Sequence, residues 1–499
     1  MPPAPSSPPP PAAAPSSLRV QALRRKPISS FQQDVDRGTL RRTVGLFQLT
    51  MIGIGATIGT GIFFVLNSAV PEAGPAVVVS FAIGAVTATL TALCYAELAS
   101  AVPVAGSSYS YAYATLGELA AVAVGWCLLL EYAVSGAAIA VSWGQYLNDF
   151  TDRLFGFRIP DAIAAPPGAG GYVNLPGAVL ILLCCLLLVR GTRESAVVTT
   201  VMVLVKLAVL VLFVALAVTG FHSSNLHPFA PMGWAGIGAG AATVFFSFIG
   251  IDAVSTAGEE VENPRRTLPL AIICSLLVIT AVYVMVAWVG VGAQPWTRFD
   301  GQEAGLSAIL TEVTGATWPG AVLSAGAVLS IVSVVLVVLY GQTRILYTMG
   351  RDGMLPAFFH RVRPSTGTPV AGTVAVGVLV AGLAAVVPLD DLADLTSMGT
   401  LAAFAVVSVG VIILRRTAPT LPRGFKVPGY PVVPVLSAGF CAYLVYELPV
   451  RTYLLFAGWM VLAAAVYLLY SRHHSRLRTT GAGTDSRGGS AGPTETIEV

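Results

Sequence analysis

Four ionisable side chains stand inside long apolar runs of a 499-residue chain: Glu97, Glu131, Lys206 and Asp252. A charge at a bilayer centre costs on the order of 2.5–3.5 kcal/mol even on insertion scales, so each invites a functional role. Lys206 stands alone in Val-Leu-Val-Lys-Leu-Ala-Val, about midway along its run. A buried amine that loads and releases a proton there would couple proton movement to another flux; the competing reading is a permanently charged tie between the fifth and first runs. Glu131 is midway along the third run and Asp252 follows an interruption in the sixth. Either could bind a cationic group, gate a pocket or pair with Lys206. Glu97 lies near the end of the second run and reads better as a packing and hydrogen-bonding residue. Glu259, Glu260 and Glu262 sit beside Arg265-Arg266, as gate ion pairs or as a solvated charge run.

Two of these runs carry their own interruptions. The first contains Gly53, Gly55, Gly59 and Gly61 within nine residues. Each glycine costs about 1 kcal/mol in a helix interior relative to alanine, so this string predicts local unwinding. The sixth holds Phe246-Ser247-Phe248-Ile249-Gly250-Ile251-Asp252 near its middle. Gly59 and Gly250 occupy matching positions in two five-run halves, 44–219 and 234–414. Paired interruptions point to a transporter site at a repeat interface. Unwinding frees N–H groups that suit a carboxylate and carbonyls that suit an ammonium, and a zwitterionic amino acid presents both. The alternative is close helix packing, whose small-xxx-small spacing Gly55 and Gly59 also fit.

The elements that must position these residues follow from composition. The chain is 55% hydrophobic and only 11% charged, against about 25% charged in soluble domains. That excludes a soluble multidomain enzyme and, for most of the chain, disorder, leaving a polytopic membrane protein. Twelve apolar segments are read at 44–66, 74–101, 118–147, 176–189, 195–219, 234–257, 268–291, 318–343, 369–388, 395–414, 431–446 and 453–470. Helices are the default, because a bilayer requires each segment to satisfy its own backbone. With the N-terminus inside, 23 Lys and Arg fall in cytoplasmic segments and 4 outside, which supports twelve spans with both termini cytoplasmic. Residues 1–40, opening on a Pro-rich stretch, and 476–499 read as disordered cytoplasmic tails around a transporter domain at 41–475, with extra spans at 431–470. The six Cys lie in apolar runs and the five His outside them, so neither suggests a metal site. No cluster of acid, base or metal ligands supports a membrane-embedded enzyme.

Several strings together resemble the amino-acid/polyamine/organocation (APC) superfamily. They are Arg41-Arg42-Thr43-Val44-Gly45-Leu46 leading into Ile54-Gly55 and Gly59-Thr60-Gly61, then Cys94-Tyr95-Ala96-Glu97, Phe245 to Asp252, and Glu259 to Arg266. The last set is similar to the cationic amino acid transporter branch and its bacterial relatives. The likeness covers about 40–475. It implies an all-α polytopic membrane protein with a LeuT-like 5+5 inverted repeat, broken helices 1 and 6 and two extra spans. It implies amino-acid uptake by alternating access at the plasma membrane. It places substrate contacts on Thr57, Thr60, Gly61, Phe246, Ser247 and Ile249, with Thr57 where relatives often carry an aliphatic residue. It sets Lys206 in the place of a second sodium site, where its ammonium would bind carbonyls freed in the first span. The expected coupling ion is a proton, with no cofactor and no metal. The expected partners are an amino acid substrate and the lipid bilayer, not nucleic acid. An exchanger with Arg/Lys preference, or an amino acid sensor on the same fold, are the alternatives.

Overall fold

The computed structural model describes residues 21–27, 44–59, 61–102, 106–190, 196–256, 261–363 and 368–476. Its principal helices are α1 (Leu46–Thr57), α2 (Val65–Ala73), α3 (Val77–Ala101), α4 (Ser107–Thr115), α5 (Glu118–Phe155), α6 (Leu175–Val189), α7 (Ala196–Ala217), α8 (Gly233–Phe245), α9 (Ala253–Thr256), α10 (Pro264–Ala293), α11 (Gly305–Thr314), α12 (Thr317–Arg351), α13 (Val370–Val386), α14 (Leu389–Thr417), α15 (Val432–Glu447) and α16 (Val450–Val466). Among the described residues, eight helical stretches are long and apolar enough to cross a membrane, and α1, α6, α11, α13 and α15 are shorter apolar helices. Proline stands immediately before α13, α14, α15 and α16, where the absent N–H would have had no intrahelical partner.

Burial separates the centre from the rim. In α5, 94% of the apolar window is buried, against 17% for the stretch Val450–His474 that contains α16. The α5 helix packs against α12 and α14, and α10 against α3 and α1, while α8 packs against α2 and α3. Large apolar side chains such as Leu454, Val461 and Leu469 face outward, as a lipid-contacting surface requires.

Every apolar segment read from the sequence has a helical counterpart, but the first does not end at 66. The chain breaks after Thr57 and resumes as α2, reaching Ala73. Asn67, Ser68 and Glu72 dilute hydropathy there and serve other elements: Asn67 Nδ2 donates to the Gln302 carbonyl (2.6 Å), Ser68 Oγ to Asp390 (2.6 Å), and Glu72 accepts from Thr243 (2.9 Å). The α4 helix, Ser-Ser-Tyr-Ser-Tyr-Ala-Tyr-Ala-Thr, lay outside the twelve segments, being too polar to register as a span. Residues 21–27, inside the stretch expected to be a tail, lie packed on the helical body.

Candidate functional site

Both interruptions are present, and they face each other. The first lies between α1 and α2, where Ile58 is extended and Gly59 takes φ +112°. In the second, α8 tightens into a 3-10 turn at Phe246–Phe248, Ile249 is extended, and Gly250 takes φ +100° before α9. A Cβ on Gly61 would stand 2.5 Å from Ser247 Oγ and 2.7 Å from Ser247 Cα. One on Gly250 would stand 2.7 Å from the Ala56 carbonyl oxygen. Glycine at each position therefore lets one broken segment touch the other's backbone. Phe246 adds a tilted ring contact to Phe64 at 5.2 Å.

Side chains from neighbouring helices take the carbonyls that the first break frees. Lys206 Nζ donates to the Gly55 carbonyl at 2.8 Å, Tyr283 to that of Thr57 at 3.0 Å, and Tyr146 to that of Phe63 at 2.6 Å. An ammonium at the C-terminal end of α1 meets the negative end of the helix dipole. On the other side of the break, the main-chain N–H groups of Gly61 and Ile62 find no acceptor among the described residues. They precede the positive N-terminal end of α2, an arrangement suited to a carboxylate. Carbonyls are thus occupied and N–H groups left over.

The acids lie on the far wall. Asp252 Oδ2 accepts from Tyr132 at 3.0 Å, Oδ1 makes no hydrogen bond among the described residues, and the Asp252 and Ala253 N–H groups lie beside the carboxylate. Neither oxygen of Glu131 is hydrogen-bonded to a protein group in the described residues. The Thr400 hydroxyl lies beside Glu131 but donates to the Thr396 carbonyl at 3.0 Å. The two acids, Tyr95 and Tyr132 form one electrostatic cluster. Ser247 Oγ is likewise buried and unpartnered. Thr57, Phe246 and Ser247 are fully buried, and Glu131, Lys206 and Asp252 are 1% exposed.

The structure thus brings together Gly61, Phe246, Ser247 and Ile249 at the paired breaks, with Thr57 and Lys206 on the α1 side. Lys206 is placed on the Gly55 carbonyl and Asp252 on the Tyr132 hydroxyl. Thr60, Glu259 and Glu260 lie outside the described residues. Among the described residues, no group of His, Cys, Asp or Glu could hold a metal ion.

An amino acid permease family model matches residues 44–470. The chain belongs to the amino acid permease family. The permease is 44% identical over 443 residues to a branched-chain amino acid permease of Bacillus subtilis, covering 88% of this chain and 95% of the relative. It is 42% identical over 459 residues to a methylthioribose transporter of the same organism, covering 91% and 98%. It is 38% identical over 406 residues to vacuolar cationic amino acid transporter 4 of Arabidopsis thaliana, covering 80% and 67%. The permease is accordingly a multi-pass membrane protein from a family of transporters, and not an enzyme.

The sequence reading missed Tyr132, Tyr146 and Tyr283. Each is a tyrosine inside an apolar helix, and a buried hydroxyl needs a partner. That signal marks them as polar groups without saying which broken backbone they serve.

Proposed function

We propose that this permease is a secondary active transporter carrying L-amino acids across the plasma membrane by alternating access. It would do so on twelve spans arranged as a 5+5 inverted repeat plus two, with both termini cytoplasmic. The observation that carries this reading is the pair of broken segments touching at Gly61–Ser247 and Gly250–Ala56. Leftover N–H groups at Gly61 and Ile62 suit the α-carboxylate, as do the side chains expected at Thr57 and Thr60. Phe246, Ser247 and Ile249 line the opposite side.

The relatives' names span branched-chain amino acids, methylthioribose and cationic amino acids. None is an acidic substrate, and Glu131 and Asp252 would repel an acidic side chain. We therefore assign a range of neutral L-amino acids. The unpartnered oxygens of Glu131 favour a second reading, exchange with cationic preference, because a guanidinium or ammonium would satisfy them.

Lys206 is the proposed proton-coupling residue. Its hold on the Gly55 carbonyl ties α7 to the inner half of the broken helix, so loading or losing its proton would strengthen or release that tie. The test is purified protein in liposomes, with labelled leucine and an imposed proton gradient. Lys206→Met is expected to retain leucine counterflow and lose the response to the gradient. Full retention of that response would remove the coupling role. Competition by Arg and Lys separates the two substrate readings, and counterflow by the parent chain excludes a non-transporting sensor.

A further inference from the structure

Chain segments far apart in sequence meet at one end of α5 and α12. Asp352, just beyond α12, accepts from Lys26 Nζ at 3.1 Å on one oxygen and from Tyr109 at 3.1 Å on the other. Both side chains of the ion pair are buried, 9% and 7% exposed. The Lys26 main-chain N–H donates to the Tyr113 carbonyl at 3.1 Å. Residues 22 and 23 cross directly over Gly117, where a Cβ would stand 2.9 Å from the Ala22 carbonyl oxygen. The φ of +112° at Gly117 also suits glycine, so the body carries a fitted seat for this strap. Next to it, Glu118 accepts from Ser475 at 2.6 Å, and the Arg476 N–H reaches the Asp352 carbonyl at 3.2 Å, which brings in the C-terminal end of the helical body.

The element beneath the strap leads to the broken helices. Tyr109 and Tyr113 belong to α4, whose first residue, Ser107, stands with its Oγ 3.2 Å from Ser255 Oγ. Ser255 is in α9, immediately behind the second break, and is buried. The far end of that segment is tied to the start of the first: the Glu262 N–H donates to the Val44 carbonyl at 3.0 Å. So α4 holds the half-helix of the second break at one end and lies under the strap at the other.

We propose that residues 21–27 are a latch that holds this end of the permease closed, with the Lys26–Asp352 ion pair as its catch. The inference rests on the alternating-access reading. While the catch is made, α4 stays seated and keeps α9 against the closed site. Release of the catch frees α4, and with it α9, to move away. A buried ion pair suits a catch because it is strong only while both partners are in register, and each ion is costly alone.

The experiment uses the full-length chain carrying Ser255→Cys, with the rate of labelling by a polar maleimide read in detergent. The chain with its native cysteines supplies the background. Adding Lys26→Met is expected to raise the labelling rate about fivefold, a shift of population toward the open state, with a lower melting temperature because Asp352 is left buried without its ion-pair partner. Exchanging the pair, Lys26→Asp with Asp352→Lys, is expected to return labelling toward the parent value. If Lys26→Met does not fold, Asp352→Asn, which keeps the shape of the site, carries the same expectation. Labelling that stays at the parent rate in a folded variant overturns the latch. A parent chain that gives no amino acid counterflow, while labelling still responds to Lys26→Met, overturns the transport reading and not the latch.

Discussion

Glu97 and Glu131 are the same residue type, each on a long helix and each 1% exposed, yet their surroundings are opposite. Arg415 holds Glu97 through both oxygens (2.8 and 2.5 Å). Arg423 approaches it at 3.3 Å and the Val427 N–H donates to it at 2.7 Å. Those partners fasten α3 to the end of α14 and the loop beyond. Glu131, in the middle of α5, has no protein hydrogen bond to either oxygen in the described residues. A carboxylate buried without partners bears its full desolvation cost, and one buried with them recovers much of it. The first glutamate is therefore a fastening that the fold requires. In the function proposed above, the second is the group that meets what enters the site.

Substitutions can break or sharpen that contrast. The largest effect on stability is expected from Glu97→Gln, which strands Arg415 and Arg423; breaking a buried pair costs about 3 kcal/mol here, at the low end because Arg415 is partly exposed. Thermal unfolding in detergent would show it as a lower melting temperature, and an unchanged one would make Glu97 no more of a fastening than Glu131. Next is Gly61→Ala. Its new methyl would press on the Ser247 backbone, and displacing the two broken segments is expected to slow uptake on the order of 100-fold. The control is Gly458→Ala in α16, where no atom lies within 4 Å and uptake should be unaffected. Tyr132→Phe removes the Asp252 partner and should weaken substrate binding by about 1 kcal/mol, roughly fivefold. Ser247→Ala comes last: with no protein partner to lose, it should leave the melting temperature alone and weaken substrate binding by about 0.5 kcal/mol.

Much of this architecture was legible in the residues. Glycine's conformational cost made both interruptions visible, and four charges in apolar runs marked the positions to watch. Local spacing could not show what each charge touches. Glu97 meets Arg415 across 318 positions, and Lys26 meets Asp352 across 326. Such pairs are made by folding, and no periodicity encodes them. The second half of the first broken helix was hidden because Asn67, Ser68 and Glu72 are spent on contacts to other elements. The strap at 21–27 was hidden for a similar reason: its basic residues follow a proline-rich stretch and read as part of a tail until Gly117 and Asp352 supply their seat. Lys206 donates to the Gly55 carbonyl, one of those freed at the first break.

The most direct test of the contrast is Glu131→Gln, with melting temperature and leucine counterflow measured on the same preparation. The account predicts a melting temperature at or above that of the parent chain, since an unpartnered buried charge is removed, together with counterflow lost or sharply reduced. A variant that melts well below the parent, or that exchanges leucine at the parent rate, would contradict it.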